Sequence, residues 1–186
     1  MKDNTKNNYF IHKDLIEECK KGSKNAQFEI YNLYYKAMYN TCLRIVKDVN
    51  VAEDIMQESF LKAFRNLKQY KSEVSFGSWL RKIVINHSLD YLRKKKMLFE
   101  TIEDNYIEDV QEEESQYEID AKIEDVKSAI SLLPEGYRLV LNLNLFEGYD
   151  HEEIGEILNI SASTSRSQFS RAKKRLLENL KKKKNE

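Results

Sequence analysis

The sequence predicts an all-α protein of two small helical domains joined by an acidic linker, and three observations carry that prediction. Turn-forming residues are scarce, with one proline and five glycines in 186 residues, too few for the tight turns of a multi-stranded domain. Apolar and aromatic side chains recur at helical spacing along most of the chain. The charge is divided into blocks, although the formal net charge is zero. Residues 1–96 carry 19 Lys and Arg against 11 Asp and Glu, residues 97–126 carry one Lys against 12 acids, and residues 127–186 carry 11 basic residues against 8 acidic ones. Two basic blocks thus flank one acidic segment, a pattern that the global count hides. The expected division is a domain over 1–97, a linker over 98–121 and a second domain over 122–186.

The first block resolves into four helical stretches. Asp14 to Cys19 is the first helix, ended by Gly22-Ser23. Ala26 to Val46 places Phe28, Tyr31, Tyr35, Met38, Tyr39 and Cys42 on one expected inward stripe. Ala52 to Leu67 follows, with Ile55, Phe60, Ala63, Phe64 and Leu67 at helical spacing. A loop over Tyr70–Gly77 leads into Ser78 to Lys96, carrying Trp79, Leu80, Ile83, Val84, His87, Leu89, Tyr91 and Leu92. The stretch Thr101–Asp120 has few large apolar residues and no helical stripe, so it reads as a tether.

The second block also holds four helices. Ile123 to Leu132 is the first, and Pro134 stands where proline suits a helix start. The helix it opens ends at Phe146 before Glu147-Gly148. Asp150 and Glu153 have the spacing of a capping box, opening a short helix through Ile154, Ile157 and Leu158. After the turn Asn159-Ile160-Ser161, a long basic helix runs from Ala162 to Lys182. A short helix, a tight turn and a longer basic helix make a helix-turn-helix.

That last helix separates into two faces. Ser165, Phe169, Ala172, Leu176 and Leu180 form a core stripe on which Ser165 is out of character, and its hydroxyl is expected to bond back to the carbonyl four residues earlier in a slightly loose seat. Ser163, Arg166, Ser167, Ser170, Arg171 and Lys174 fall on another stripe with no acid among them. Guanidinium groups suit guanine edges and phosphates, and hydroxyls pair with either. Ser161 is placed to cap the helix, whose positive end would face a phosphate backbone.

Other classes fit poorly. The polar, mixed-charge start is unlike a secretory signal, and no apolar run reaches the roughly 18 residues needed to cross a bilayer. Cys19 and Cys42 fit no metal spacing and read as thiols in a reducing compartment, so the cytoplasm is expected. His151-Glu152-Glu153 begins like a zinc-protease helix, but Gly155 stands where the second ligand would be. There is no glycine-rich phosphate loop. No catalysis, cofactor, metal or small-molecule substrate is expected.

Recognition rests on Val51–Leu67, Phe76–Lys96 and the helix-turn-helix. Ala52-Glu53-Asp54-Ile55, Gln57-Glu58, Phe60-Leu61, Phe76, Trp79-Leu80, Ile83, Asn86, Asp90 and Arg93 resemble the second conserved region of the sigma-70 family. Leu133-Pro134, Tyr149, Glu152-Glu153-Ile154, Ile157-Leu158, Thr164 and Ser170-Arg171-Ala172 resemble its fourth region. With only these two regions, the chain is similar to the extracytoplasmic-function subgroup of RNA polymerase sigma factors. Thr164-Ser165-Arg166-Ser167-Gln168 departs from the commoner Thr-Val-Lys-Ser-Arg form, so the promoter sequence is not carried over.

The resemblance implies roles. Asp54, Gln57, Glu58 and an exposed Leu61 would dock on the beta-prime subunit of core RNA polymerase, with the beta subunit as a further contact. Lys71, Ser72, Ser75, Phe76, Asn86 and Arg93 would hold the opened −10 strand, since unpaired bases need aromatic faces, hydrogen bonds and cations. Trp79 is assigned to the core, and Asn86 either contacts DNA or bridges helices. Ser163, Thr164, Arg166, Ser167, Ser170, Arg171 and Lys174 would read the −35 duplex. The acidic linker is either a solvated spacer or a strand in the RNA exit channel, its carboxylates imitating phosphates. An anti-sigma factor is the implied restraining partner. Two other readings stand beside this one: an autonomous helix-turn-helix regulator, and a helical adaptor without a DNA role.

Overall fold

The computed structural model describes residues 12–99 and 122–184, with side chains placed over 12–96 and 122–182. The chain divides into two compact units, Met1–Thr101 and Ile102–Glu186. All regular structure among the described residues is helical. The linker expectation for residues 100–121 lies outside the described residues.

In the first unit, α1 (Lys13–Lys20) packs on α2 (Lys24–Val46), and α2, α3 (Val49–Arg65) and α4 (Phe76–Phe99) pack mutually. The start of α2 is set by Ser23, whose Oγ accepts the Ala26 N–H. Its end is a left-handed Lys47 (φ 62°), and the next residue, Asp48, caps α3 by accepting the Val51 N–H at 3.0 Å. That two-residue joint turns the chain sharply. A single 3-10 turn, Leu67–Gln69, follows α3. Helix α4 continues to Phe99, so positions 98 and 99, expected in the linker, are helical.

The buried side of α2 is Ala26, Ile30, Met38, Thr41, Cys42, Ile45 and Val46. The expected stripe is therefore rotated: Met38 and Cys42 are inside, Tyr31, Tyr35 and Tyr39 are half-buried, and Phe28 is 65% exposed. Three neighbours, α1, α3 and α4, pack on α2, and their combined footprint rather than the aromatic content decides its inner face. From α3 and α4 the core receives Ala52, Ile55, Met56, Phe60, Ala63, Leu80, Val84, Ile85 and Leu89.

In the second unit, α5 (Ile123–Ser131), α6 (Glu135–Leu145) and α7 (His151–Leu158) all pack on the long α8 (Ala162–Lys184). Leu133, Leu141 and Ala172 form a buried cluster against Ile130, Tyr137 and Leu176. Pro134 occupies the residue before α6, and Gly148 (φ 78°) turns the chain after it. Asn179 Nδ2 donates to the Ala129 carbonyl at 3.2 Å, fixing α8 against α5.

Candidate nucleic-acid and partner interfaces

The loop before α4 is closed by its own hydrogen bonds. Tyr70 Oη donates to the Val74 carbonyl at 2.7 Å, spanning the loop, and Ser72 within it adopts a left-handed φ of 61°. Ser75 Oγ accepts the Ser78 N–H at 3.1 Å and lies 2.8 Å from Ser78 Oγ, so its hydroxyl serves the start of α4. Lys71 and Ser72 are exposed above it.

Phe76 corrects the expectation placed on it. The ring is 2% exposed, packed against Tyr34 (5.4 Å between ring centroids), Tyr70 (5.6 Å) and Trp79 (5.6 Å), and offers no face to a nucleic-acid base. Because α4 begins at Phe76, that residue shares the inward stripe with Leu80 and Val84. Trp79 is half-buried in the same cluster, 5.2 Å from Tyr70. Burial pushes the Tyr34 and Tyr70 phenols up, while the Ser72 hydroxyl and the Lys20 ammonium oppose the shift at Tyr70. Farther along α4, Asn86 and Arg93 are exposed on one side, two turns apart, with Lys82 exposed one turn before Asn86. Arg93 Nη1 pairs with Asp90 at 3.2 Å. Lys82 and the loop-closing Tyr70 are additions to the sequence-derived set.

Along α3, Asp54, Gln57, Glu58 and Leu61 are all exposed, Leu61 at 56%. Glu58 Oε2 lies 3.2 Å from His87 Nε2, and His87 Nδ1 lies 3.2 Å from the buried Ser59 Oγ. His87 thereby ties α3 to α4 directly beneath this face, a link between residues 28 positions apart that helical spacing alone does not show.

The helix-turn-helix is α7, the turn Asn159–Ser161, and α8. Asp150 Oδ1 accepts the Glu153 N–H at 2.8 Å and Glu153 Oε2 accepts the Asp150 N–H at 2.9 Å, the reciprocal capping box. Asn159 ends α7 in the left-handed region (φ 58°), and the Ile160 N–H donates back to the Gly155 carbonyl. A Cβ on Gly155 would stand 2.8 Å from the Ile160 carbonyl oxygen, so only glycine fits beneath the turn. Ser161 Oγ accepts the Thr164 N–H at 2.9 Å, capping α8.

The two faces of α8 divide as its spacing requires. Ser165, Ala172 and Leu180 are buried and Phe169 and Leu176 half-buried. Ser163, Thr164, Arg166, Ser167 and Lys174 are exposed, with Ser170 and Arg171 half-exposed. Ser167 Oγ donates to the Ser163 carbonyl at 3.1 Å. Ser165 departs from expectation: its Oγ lies 2.9 Å from His151 Nδ1 on α7, and the residue is 0% exposed. The seat is closed rather than loose, because the half-buried imidazole supplies a partner from the neighbouring helix and packs edge-on against Phe169 at 5.5 Å. Arg166 Nη1 also reaches α7, 3.2 Å from Glu152 Oε1. The acid-free stripe on α8 therefore meets an acid from outside its own helix.

Comparison with known proteins assigns this arrangement to a class. Sigma-70 region 2 matches residues 30–97 and sigma-70 region 4 matches residues 123–176. The chain is 30% identical over 180 residues to the ECF RNA polymerase sigma factor SigW of Bacillus subtilis, covering 90% of this chain and 96% of that protein. It is 33% identical over 151 residues to SigM of the same organism, covering 80% and 91%. Among solved structures, the sigma factor RpoE of Bartonella quintana, in complex with the anti-sigma factor NepR, superposes with a TM-score of 0.58 at 25% identity, covering 82% of this chain and 95% of that one. The chain belongs to the sigma-70 family, among its ECF sigma factors. No helix among the described residues is long and apolar enough to cross a membrane.

Proposed function

We propose that this chain acts as an ECF-type sigma factor that joins core RNA polymerase and directs it to promoters, the first unit engaging the −10 element and the second the −35 element. Family membership supports the role itself. The observation that carries the division of labour is the sorting of α8 into a seat that buries Ser165, Ala172 and Leu180 and a face on which Ser163, Thr164, Arg166, Ser167 and Lys174 are exposed and Ser170 and Arg171 partly so. A helix fixed on one side and lined with hydroxyls and cations on the other suits a major groove.

In the first unit, Lys71, Ser72, Asn86 and Arg93, with Lys82 added, supply cations and hydrogen bonds for the melted strand, above a loop that Tyr70 and Ser75 hold in shape. Phe76 works from beneath, as part of the packed base of that loop. Asp54, Gln57, Glu58 and Leu61 form the face for the polymerase, an exposed apolar residue beside charged and polar ones. The chain supplies binding and no chemistry of its own, works in the cytoplasm beside polymerase, and is open to restraint by an anti-sigma partner; the RpoE relative is found in complex with the anti-sigma factor NepR.

The test is to add the full chain to sigma-free core polymerase with a library of promoter DNAs. Initiation from a defined subset is the expected result. DNA binding without any effect of core would instead indicate an autonomous regulator, and neither activity would leave a helical adaptor. Leu61→Asp should abolish core binding while leaving folding stability within about 0.5 kcal/mol, because the side chain is exposed.

A further inference from the structure

The capping box of α7 commits Asp150 and Glu153 to each other, so these two acids are occupied at the helix start. Glu152, between His151 and Glu153 in the same first turn, is directed differently. Its Oε1 lies 3.2 Å from Arg166 Nη1, across the turn and 14 residues away, with 70% of the Glu152 side chain and 55% of the Arg166 side chain exposed. An ion pair this exposed contributes little to folding. Its position is what matters: in this motif the first helix crosses the DNA backbone and the early residues of the second reach the base edges. A bare carboxylate there would repel phosphate, and a bare guanidinium would be drawn to the nearest phosphate whatever the sequence.

We propose that Glu152 is a positioning residue for promoter selectivity: it holds one edge of the Arg166 guanidinium so that the remaining N–H groups address a base edge rather than the backbone. This rests on the reading of α8 as the −35 reader. A planar fork with several donors can give one edge to a carboxylate and keep the rest for an acceptor, which a lysine ammonium at this position would do without fixed direction. The pairing also neutralises Glu152 where the backbone would approach.

The experiment uses holoenzyme assembled from the full chain and core polymerase, on duplexes randomised over the upstream element. Wild type, Glu152→Gln, Arg166→Ala and the double variant are compared. Glu152→Gln is expected to flatten preference about 10-fold at one or two adjacent positions, the scale of a lost bidentate contact. It should also tighten binding to random DNA and steepen the salt dependence by about one ion. Arg166→Ala should flatten the same positions, with Glu152→Gln adding nothing in that background. Core binding and the thermal midpoint should not move, whereas a merely structural role would shift the midpoint. A wild-type holoenzyme with an upstream preference that Glu152→Gln leaves unchanged, or weakens equally for all sequences, overturns the inference alone. A wild-type holoenzyme with no upstream preference overturns the functional reading beneath it as well.

Discussion

The loop before α4 in the first unit and the long helix α8 in the second are shaped by opposite means. In the loop, the polar surface rests on a packed aromatic base of Tyr34, Tyr70, Phe76 and Trp79, and the Tyr70–Val74 hydrogen bond spans it. In the helix-turn-helix, a polar contact across two helices does that work, Ser165 to His151 in the interior. Residue type therefore gives the reverse of its usual meaning at both places. An aromatic residue that suits base stacking is structural in one unit, and a serine that suits a surface is structural in the other.

Four substitutions or conditions sharpen that contrast, taken from the largest effect down. Phe76→Ala should destabilise the first unit by about 3–5 kcal/mol, as for other buried aromatics cut to alanine. Trp79, the single tryptophan and 5.6 Å away, reports it by fluorescence in urea titration. Wild-type stability in that variant would return Phe76 to the surface. Arg171→Ala should weaken use of the upstream element by about 1–3 kcal/mol with core binding intact, read by promoter competition and polymerase pull-down. Loss of core binding instead would mean that the faces of α8 are misassigned.

Ser165→Ala should cost the second unit about 1 kcal/mol, since it leaves the His151 nitrogen without its partner. Thermal unfolding followed by helical circular dichroism measures this, and an unchanged midpoint would make the contact incidental. The smallest effect concerns pH. Burial, then the Glu29 carboxylate, push the Cys19 thiol from its usual 9.0 up to about 11. The unfolded thiol ionises near 9.0 while the folded one keeps its proton, so this contribution is whole below pH 9 and is lost as pH rises toward about 11. Tyr34 and Tyr70, also raised, act in the same direction above their usual value. Cys19→Ala should reduce the loss of stability between pH 8 and 10.5, and an unaltered loss would assign it to the tyrosines.

Helix positions were legible because each is written in local terms: a capping residue, a period near 3.6 and a left-handed stop. The capping box at Asp150 and the Ser161 cap are in the sequence as they are in the fold. Facing was legible for α8, where one stripe is polar and the other is not. It was illegible for α2, whose inner side is set jointly by α1, α3 and α4, takes in Thr41 and leaves Phe28 outside. Phe76 misled because its chemistry fits two uses, and only the start of α4 at that residue decides between them. The links His87–Ser59, His151–Ser165 and Glu152–Arg166 join residues 14 or 28 apart, across turns whose angle no local pattern encodes. One signal was available: once the capping box uses Glu153, the neighbouring Glu152 is left for another partner.

Gly155 bears on how such a protein can change its target. The α7–α8 crossing is set where the Ile160 carbonyl comes within 2.8 Å of the place a Cβ on Gly155 would occupy, at a residue of α7 that is not among the exposed residues of α8. The frame and the lettering are thus separate parts. On the proposed reading of α8, exchanging its outward residues would change the promoter without re-cutting the joint, whereas a methyl group added at position 155 would shift that whole face at once.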